Sequence, residues 1–390
     1  MKGTPVGNDH RRRTARAAVG TAVAAITLAT SAAAHADTIQ VKNTKASGGG
    51  SFAGAVKAAD RDPDRDTISF ARRLRGTIKL RNELLQIREP VSIEGRGYGN
   101  RRRSSFGRVT LEGRKRGSNI VLDGYVGKGP SNTVKEMNLR RVSLASAGPS
   151  LTVKDSYMDG RSTVTGRSGI DGQFVYGSGS EAIRVLGTTV TGFRSGMSLY
   201  KSRARVDRSR LSGNVYSGVT AGDYASFEVT NSTISGNGSV GASAVYESGG
   251  DVINTTVTGN EGGGTYGVDV NESTVAENGG VGVGGYASDG DSQISNSIVW
   301  GNAGGDCGSS VDSLGGNVIG NPGECVLTST DVAGENPKLG ELASNGGPTR
   351  TMAIGKGSPA IGRAVRKTAT KFDQRGVKRD AHPDAGAYER

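Results

Sequence analysis

Apolar and polar positions alternate along most of the chain in short runs, and between residues 208 and 321 one seven-residue phrase returns six times. It reads Arg-Ser-Arg-Leu-Ser-Gly-Asn (208–214), Asn-Ser-Thr-Ile-Ser-Gly-Asn (231–237) and Asn-Thr-Thr-Val-Thr-Gly-Asn (254–260). It continues as Glu-Ser-Thr-Val-Ala-Glu-Asn (272–278), Asn-Ser-Ile-Val-Trp-Gly-Asn (296–302) and Gly-Gly-Asn-Val-Ile-Gly-Asn (315–321). Three places before each closing asparagine stands an aliphatic residue, namely Leu211, Ile234, Val257, Val275, Val299 or Val318. Small Ser, Thr and Gly residues alternate around it, which predicts a short strand with one face inward, ended by a turn. The asparagines Asn214, Asn237, Asn260, Asn278, Asn302 and Asn321 are spaced 23, 23, 18, 24 and 19 residues apart. A self-similar period near twenty predicts a solenoid. Glycine just before asparagine suits a turn that visits positive φ. Stacked in register, the six amides would hydrogen-bond as a ladder and satisfy the turn backbone. A leucine-rich repeat would need a Leu-x-x-Leu-x-Leu spine, which is missing, and there are no heptads. The expected fold is all-β, a right-handed parallel β-helix.

The pattern extends on both sides. Thr38–Val41 predicts a strand, and Ser51 is placed to cap a short helix whose Phe52, Val56 and Ala59 share one face. A solenoid needs such a cover over its first coil. Rougher coils follow at Thr67–Phe70, Thr77–Leu80, Val91–Gly95, Val109–Gly113 and Ile120–Gly124, each alternating and most of them ending at an acidic residue and glycine. The period blurs between 160 and 180, where a loop is expected, and stops after 321. The boundaries are a leader over 1–36, an N-terminal cap over 37–70, the β-helix over 71–335 and a C-terminal capping module over 336–390.

The leader has a basic start (Lys2, Arg11, Arg12, Arg13, Arg16), an apolar run from Ala17 to Ala34, and Ala34-His35-Ala36 as an A-x-A site before Asp37. This predicts a secretory signal peptide rather than a membrane anchor, hence an exported chain with no transmembrane anchor after processing. Cys307 and Cys325, 18 apart, then suggest a disulfide between neighbouring coils, with two buried thiols as the alternative. With His10, His35 and His382 as the only histidines, a zinc set is not expected.

Beyond the repeat come Asn336-Pro337-Lys338-Leu339-Gly340, Asn345-Gly346-Gly347-Pro348-Thr349, Gly357-Ser358-Pro359-Ala360-Ile361, Asp373-Gln374-Arg375-Gly376 and Gly386-Ala387-Tyr388-Glu389. These phrases, in this order, resemble the C-terminal choice-of-anchor Q module of exported β-helix proteins. The glycine run with Ser51-Phe52-Ala53 to Val56 resembles the Gly-Ser-Leu-Arg-x-Ala-Ile opening of such proteins. The chain departs from that pattern at Gly362-Arg363, where an acidic residue is usual, and it lacks the module's late cysteine. The resemblance implies a pectate-lyase-like superfold in a secreted protein that is not covalently fixed to the surface; separately, a monomer is expected.

The processed chain has 390 − 36 = 354 residues, enough for about a dozen coils, or roughly 55 Å of stack at a strand spacing of about 4.8 Å. Aromatic content of 5 % and 63 glycines would be compatible with disorder, but the ordered repeat argues for tight turns in stacked coils. Charge divides the rod. Residues 37–210 hold 33 Lys and Arg against 16 Asp and Glu, whereas 211–390 hold 11 against 20. No Lys or Arg occurs from 211 to 337, where 15 acidic residues do. The basic runs 101–103 and 114–116 suit either solvated turns or a polyanion surface. No base-reading motif accompanies them, so nucleic acid is not an expected partner.

The candidate site lies among the asparagine turns. Tyr224, Tyr246, Tyr266 and Tyr286 offer rings for sugar stacking, with Glu247 and Asp269 beside them. Asp223, Asp251, Asp289 and Asp291 recur in the same stretch, and calcium is the cofactor such carboxylates would take, if any. By fold analogy alone, a polyuronate lyase would need a base for the α-proton, available only from Arg194, Lys201, Arg203 or Arg205, with Asp223 and Asp251 as partners. The Asp-Asp and Gly-His-Gly signals of polygalacturonases are absent. The expected function is a non-catalytic exported β-helix that binds glycan or the cell envelope, the alternatives being a calcium-dependent polysaccharide lyase and a purely structural rod.

Overall fold

The computed structural model describes residues 36–61, 64–95, 109–122, 131–146, 150–161, 166–173, 183–285 and 292–390. The leader to residue 35, the basic run 101–103, and parts of the stretch between 160 and 180 lie outside them.

Three long sheets account for most strands. The first has 12 strands, from Thr38–Val41 to Val311–Gly315; the second has 12, from Gly76–Lys79 to Val332–Ala333; the third has nine, from Leu84–Ile87 to Val281–Gly284. The chain visits them in rotation. Ile183–Leu186 belongs to the first sheet, Thr189–Thr191 to the second and Met197–Tyr200 to the third, and Arg203–Asp207 then returns to pair in parallel with Ile183–Leu186. Parallel pairing through such a circuit, with the right-handed crossover that strand twist imposes, gives a right-handed parallel β-helix.

One hydrophobic column fills it, from Val41 through Leu122, Val185, Ile234 and Val275 to Ile319. At its start the helix Phe52–Ala59 buries Phe52, Ala55, Val56 and Ala59. The Ser51 Oγ accepts the Gly54 N–H at 3.1 Å as N-cap, and Phe52 stacks on Phe70 with ring centroids 6.2 Å apart.

The seven-residue phrase is a complete turn–strand–turn. In 231–237, Asn231 turns the chain from first to second sheet with φ 50°, and Ile234 enters the core fully buried. Gly236 makes the next turn with φ 62°, and Asn237 follows it, buried. Glycine is suited there because a left-handed backbone is disfavoured by any Cβ. The closing asparagines stack. Asn214, Asn237, Asn260 and Asn278 each donate Nδ2 to the Oδ1 of the next, at 2.8–2.9 Å, ending on Asn302. Each backbone N–H in that run also donates to the same Oδ1. Asn321, expected as the sixth rung, does not take that place. Asp306 does: its Oδ1 accepts Asn302 N and Nδ2, and its Oδ2 accepts the Asn321 N–H. Donors arrive from both sides here, and only a carboxylate can accept on both oxygens without presenting a donor of its own.

A second ladder runs along the turn from first to second sheet. The N–H of each of Ser156, Thr188, Ser209, Ser232, Thr255 and Ser273 donates to the hydroxyl of the residue one coil on. It finishes through Ser297 and Asn317 on the Asp331 carboxylate. Burial pushes Asp331 up, but bonds from Ser313, Thr328 and Asn317 outweigh this and hold it below the usual carboxylate range.

Removing an interior rung strands a buried donor, which costs about 1–3 kcal/mol. Asn260→Ala takes away the acceptor for both Asn237 N and Nδ2. We expect it to lower the unfolding free energy in guanidinium titration by about 2 kcal/mol, against under about 0.5 for Asn321→Ala at an exposed turn. Equal losses at the two positions would show that the amide column carries no special stability.

The tail after 335 lies along the second sheet. Ile354, Ala360 and Ala385 form a small core with Ile298 and Val318 from that sheet's outer face. Polar groups complete the seam. Thr233 Oγ1 donates to Arg350 O at 2.6 Å, Thr256 Oγ1 to Gln374 Oε1 at 2.7 Å, and Ala387 N to Thr274 Oγ1 at 3.1 Å. The left-handed turn residues Asn254, Glu272 and Asn296 reach the same segment through Thr370, Phe372, Thr368 and Val365. Cys307 and Cys325 are bonded, with Cα atoms 5.6 Å apart, near the end of the stack.

Candidate functional site

The tail covers the second sheet in its later coils, whereas the turn that leads from the third sheet into the first carries exposed side chains there. That turn carries Tyr200-Lys201, Asp223-Tyr224, Tyr246-Glu247 and Tyr266-Gly267 in successive coils. Short connections force a left-handed backbone: φ is 47° at Lys201, 51° at Asp223, 62° at Tyr224, 59° at Tyr246, 56° at Glu247 and 65° at Gly267. Only Gly267 takes this without strain; a bulky side chain there costs about 1–2 kcal/mol. The strained tyrosines gain little burial in return, since Tyr224 is 65 % exposed and Tyr246 64 %. Tyr200 and Tyr266 are exposed as well. The Tyr224 hydroxyl hydrogen-bonds Glu247, and this bond, with the carboxylate's charge, pushes the phenol above its ordinary range. Lys201 Nζ lies 5.1 Å from the centre of the Tyr200 ring.

Beside this edge, a row crosses the outward face of the first sheet. Arg184, Arg205, Glu228, Asp251 and Asp269 are paired in strict register, one per strand. Arg205 bridges to Glu228 at 3.3 Å where the sign of charge changes. Asp251 is held above the usual range, by partial burial first and then by Asp269 and Glu228 on either side. The Asp269 Oδ1 accepts the Gln293 N–H at 2.8 Å.

The structure thus gathers Lys201, Asp223, Tyr224, Tyr246, Glu247 and Tyr266 on one edge, with Asp251 and Asp269 on the adjoining face. Arg203 shares that face but pairs with Ser226, in a different row from Asp251. Arg194 does not join them. It sits on the turn from second to third sheet, its guanidinium carbon 5.1 Å from the Tyr216 ring centre, so the full strand Met197–Tyr200 separates it from the tyrosine edge at that strand's other end. Tyr286, Asp289 and Asp291 lie outside the described residues. A calcium cage is not assembled either: among the described residues no three His, Cys, Asp or Glu side chains converge as a metal would require. Strand spacing keeps the acidic row in a line rather than a cluster.

Two features escaped the sequence. Glu228 completes the acidic row; its place between Phe227 and Val229 in Ser226–Thr230 signals an outward side chain. Asp171, on the third sheet in Ile170–Gln173, has its carboxyl pushed up to about 6, by burial first, partly offset by a bond from Ser168 and by the charges of Arg167 and Arg194.

A family-model match agrees on architecture. The family described as right-handed β-helix region matches residues 168–321, less than half of the chain. No curated protein matches it. Among solved structures, the pectate lyase Pel9A is 14 % identical, with 91 % of this chain and 97 % of that one covered, at a TM-score of 0.48. The A-module of the mannuronan C-5 epimerase AlgE4 of Azotobacter vinelandii is 13 % identical, with 75 % and 96 % covered, also at 0.48.

Proposed function

We propose that this chain is an exported, non-catalytic β-helix that binds a neutral polysaccharide along its tyrosine edge. The observation that carries this is the pair Tyr224 and Tyr246, held exposed in a backbone conformation that only glycine adopts freely. Strain kept without a packing return points to a use outside the fold. Exposed phenol rings spaced one coil apart present apolar faces on which the C–H faces of successive sugar units can rest. Asp223, Glu247 and Asp251 beside them can accept hydrogen bonds from sugar hydroxyls and disfavour a polyanion by repulsion. Export is supported by the Ala34-His35-Ala36 signal and by the Cys307–Cys325 bond, at home in an oxidising compartment. Among the described residues no helix is long and apolar enough to cross a membrane.

Tyr224→Gly and Tyr246→Gly separate binding from folding. Each should leave thermal stability unchanged or higher by about 1 kcal/mol, as the left-handed strain is relieved. Each should weaken binding to the best neutral ligand of a glycan array about tenfold, the loss of an aromatic anchor worth about 1–2 kcal/mol. Binding untouched in both variants would sink the proposal. Incubation with polyuronate and calcium, followed by ultraviolet absorbance, tests the lyase alternative. Unsaturated product would replace a binding role with a catalytic one.

A further inference from the structure

We infer that a second site, for a small oxyanion such as a sulfate or carboxylate group, lies where the C-terminal segment meets the second sheet, between Arg210 and Arg350.

On the outward face of that sheet Tyr157, Thr189, Arg210 and Thr233 form one row in register. Thr233 Oγ1 donates to Arg350 O at 2.6 Å, which fixes the Arg350 backbone one strand from Arg210. The docking of the tail therefore sets the Arg350 backbone beside the Arg210 row, near enough for the Arg350 charge to act on the Arg210 guanidinium. Neither is bridged to a carboxylate among the described residues, although other arginines in this part of the sheet are. Arg140 and Arg141 bridge to Glu112 at 3.6 and 2.7 Å, and Arg161 to Asp159 at 3.2 Å. Asp159, next but one to Tyr157 on its strand, is thereby already engaged, its other oxygen accepting the Arg161 N–H at 2.7 Å.

Arg210 is also half-buried, and its Nε is fully enclosed with no hydrogen-bond partner. A buried donor left unmade, on a cation facing a second cation, is unfavourable in the empty protein. Burial first, and then Arg350, push the Arg210 guanidinium below its ordinary range. An oxyanion between the two forks would remove the repulsion and accept from both, the arrangement for which guanidinium geometry is suited. Tyr157, two strands up the row, is close enough for the Arg210 charge to act on it. The site does not depend on the tyrosine edge, which lies on another flank of the rod.

The test is thermal unfolding of the whole chain at constant ionic strength with sodium chloride, sodium sulfate, trigalacturonate or a neutral trisaccharide. Sulfate or trigalacturonate should raise Tm in a saturable way, and chloride and the neutral sugar should not. A response to sulfate alone assigns a tetrahedral anion, and one to trigalacturonate a sugar acid. Arg210→Gln should weaken the effective anion at least tenfold while raising Tm in its absence. Arg350→Gln, at an exposed position, should weaken it comparably while raising Tm by less than Arg210→Gln does, since it relieves the repulsion but leaves the enclosed Arg210 Nε. An equal response to chloride, no response to either oxyanion, or undiminished binding in Arg350→Gln would overturn the assignment.

Discussion

Replacing Arg379 by methionine is expected to destabilise the protein by about 3–5 kcal/mol, the range for removing one partner of a buried ion pair. Its side chain is 2 % exposed and ties the C-terminal segment to the rod. Nη1 donates to Asp384 O at 2.9 Å and Glu389 Oε2 at 3.2 Å, and Nη2 to Asn254 Oδ1 at 2.9 Å and Gly386 O at 2.8 Å. Its Nε lies 3.6 Å from Glu272 Oε1, an oxygen that also accepts the Thr370 N–H at 2.6 Å. Without the guanidinium, two buried carboxylates lose their counter-charge at the seam. The loss should be local, so limited proteolysis should cut the segment beyond 335 first while the β-helix persists. Adding Glu272→Gln should restore part of the stability by removing one stranded charge. A fragment pattern unchanged from the parent would mean the segment is held by its apolar contacts alone.

Asp171→Asn is expected to stabilise the protein at pH 8 by about 3 kcal/mol and to do little at pH 4. The carboxyl is raised from 3.8 to about 6, chiefly by burial, and each pKa unit corresponds to about 1.4 kcal/mol. A folded-state pKa above the unfolded one means that the folded chain binds the proton more tightly between the two values. The stability this provides is complete below the unfolded value and is lost as pH rises through about 6. Asparagine keeps the shape and the bond with Ser168 but cannot ionise, so it removes that loss. Denaturant titrations of both proteins at the two pH values decide the matter. A gain of equal size at pH 4 would place its origin in packing rather than ionisation.

The β-helix was legible because one phrase repeats its chemistry in every coil: an aliphatic residue for the core, glycine for the left-handed turn, asparagine for the ladder. Its second position was equally regular, as Ser209, Ser232, Thr255, Ser273 and Ser297, yet hydroxyls are so common in turns that nothing marked these as a buried column. Asn321 misled because spacing alone cannot show that Asp306, in a loop off the repeat, reaches the rung first. On the candidate edge, Tyr224, Tyr246 and Glu247 were readable from their period. Arg194 was not, because nearness in sequence within a coil is no guide to the side of the rod. Arg210 and Arg350 are 140 residues apart, and their meeting depends on how the tail docks. No repeat encodes that.

Both ladders have direction. Every interior rung accepts from the coil before and donates to the coil after (two bonds each way in the asparagine column, one in the hydroxyl column), so an extra coil inserted between Asn237 and Asn260 would find its donors and acceptors already matched. Appended after Asp306 or Asp331 it would not, because a carboxylate has nothing to hand on. Growth or shortening of this rod by duplication and deletion is therefore confined to its middle, and relatives that differ in length should differ there while keeping the same acidic terminus.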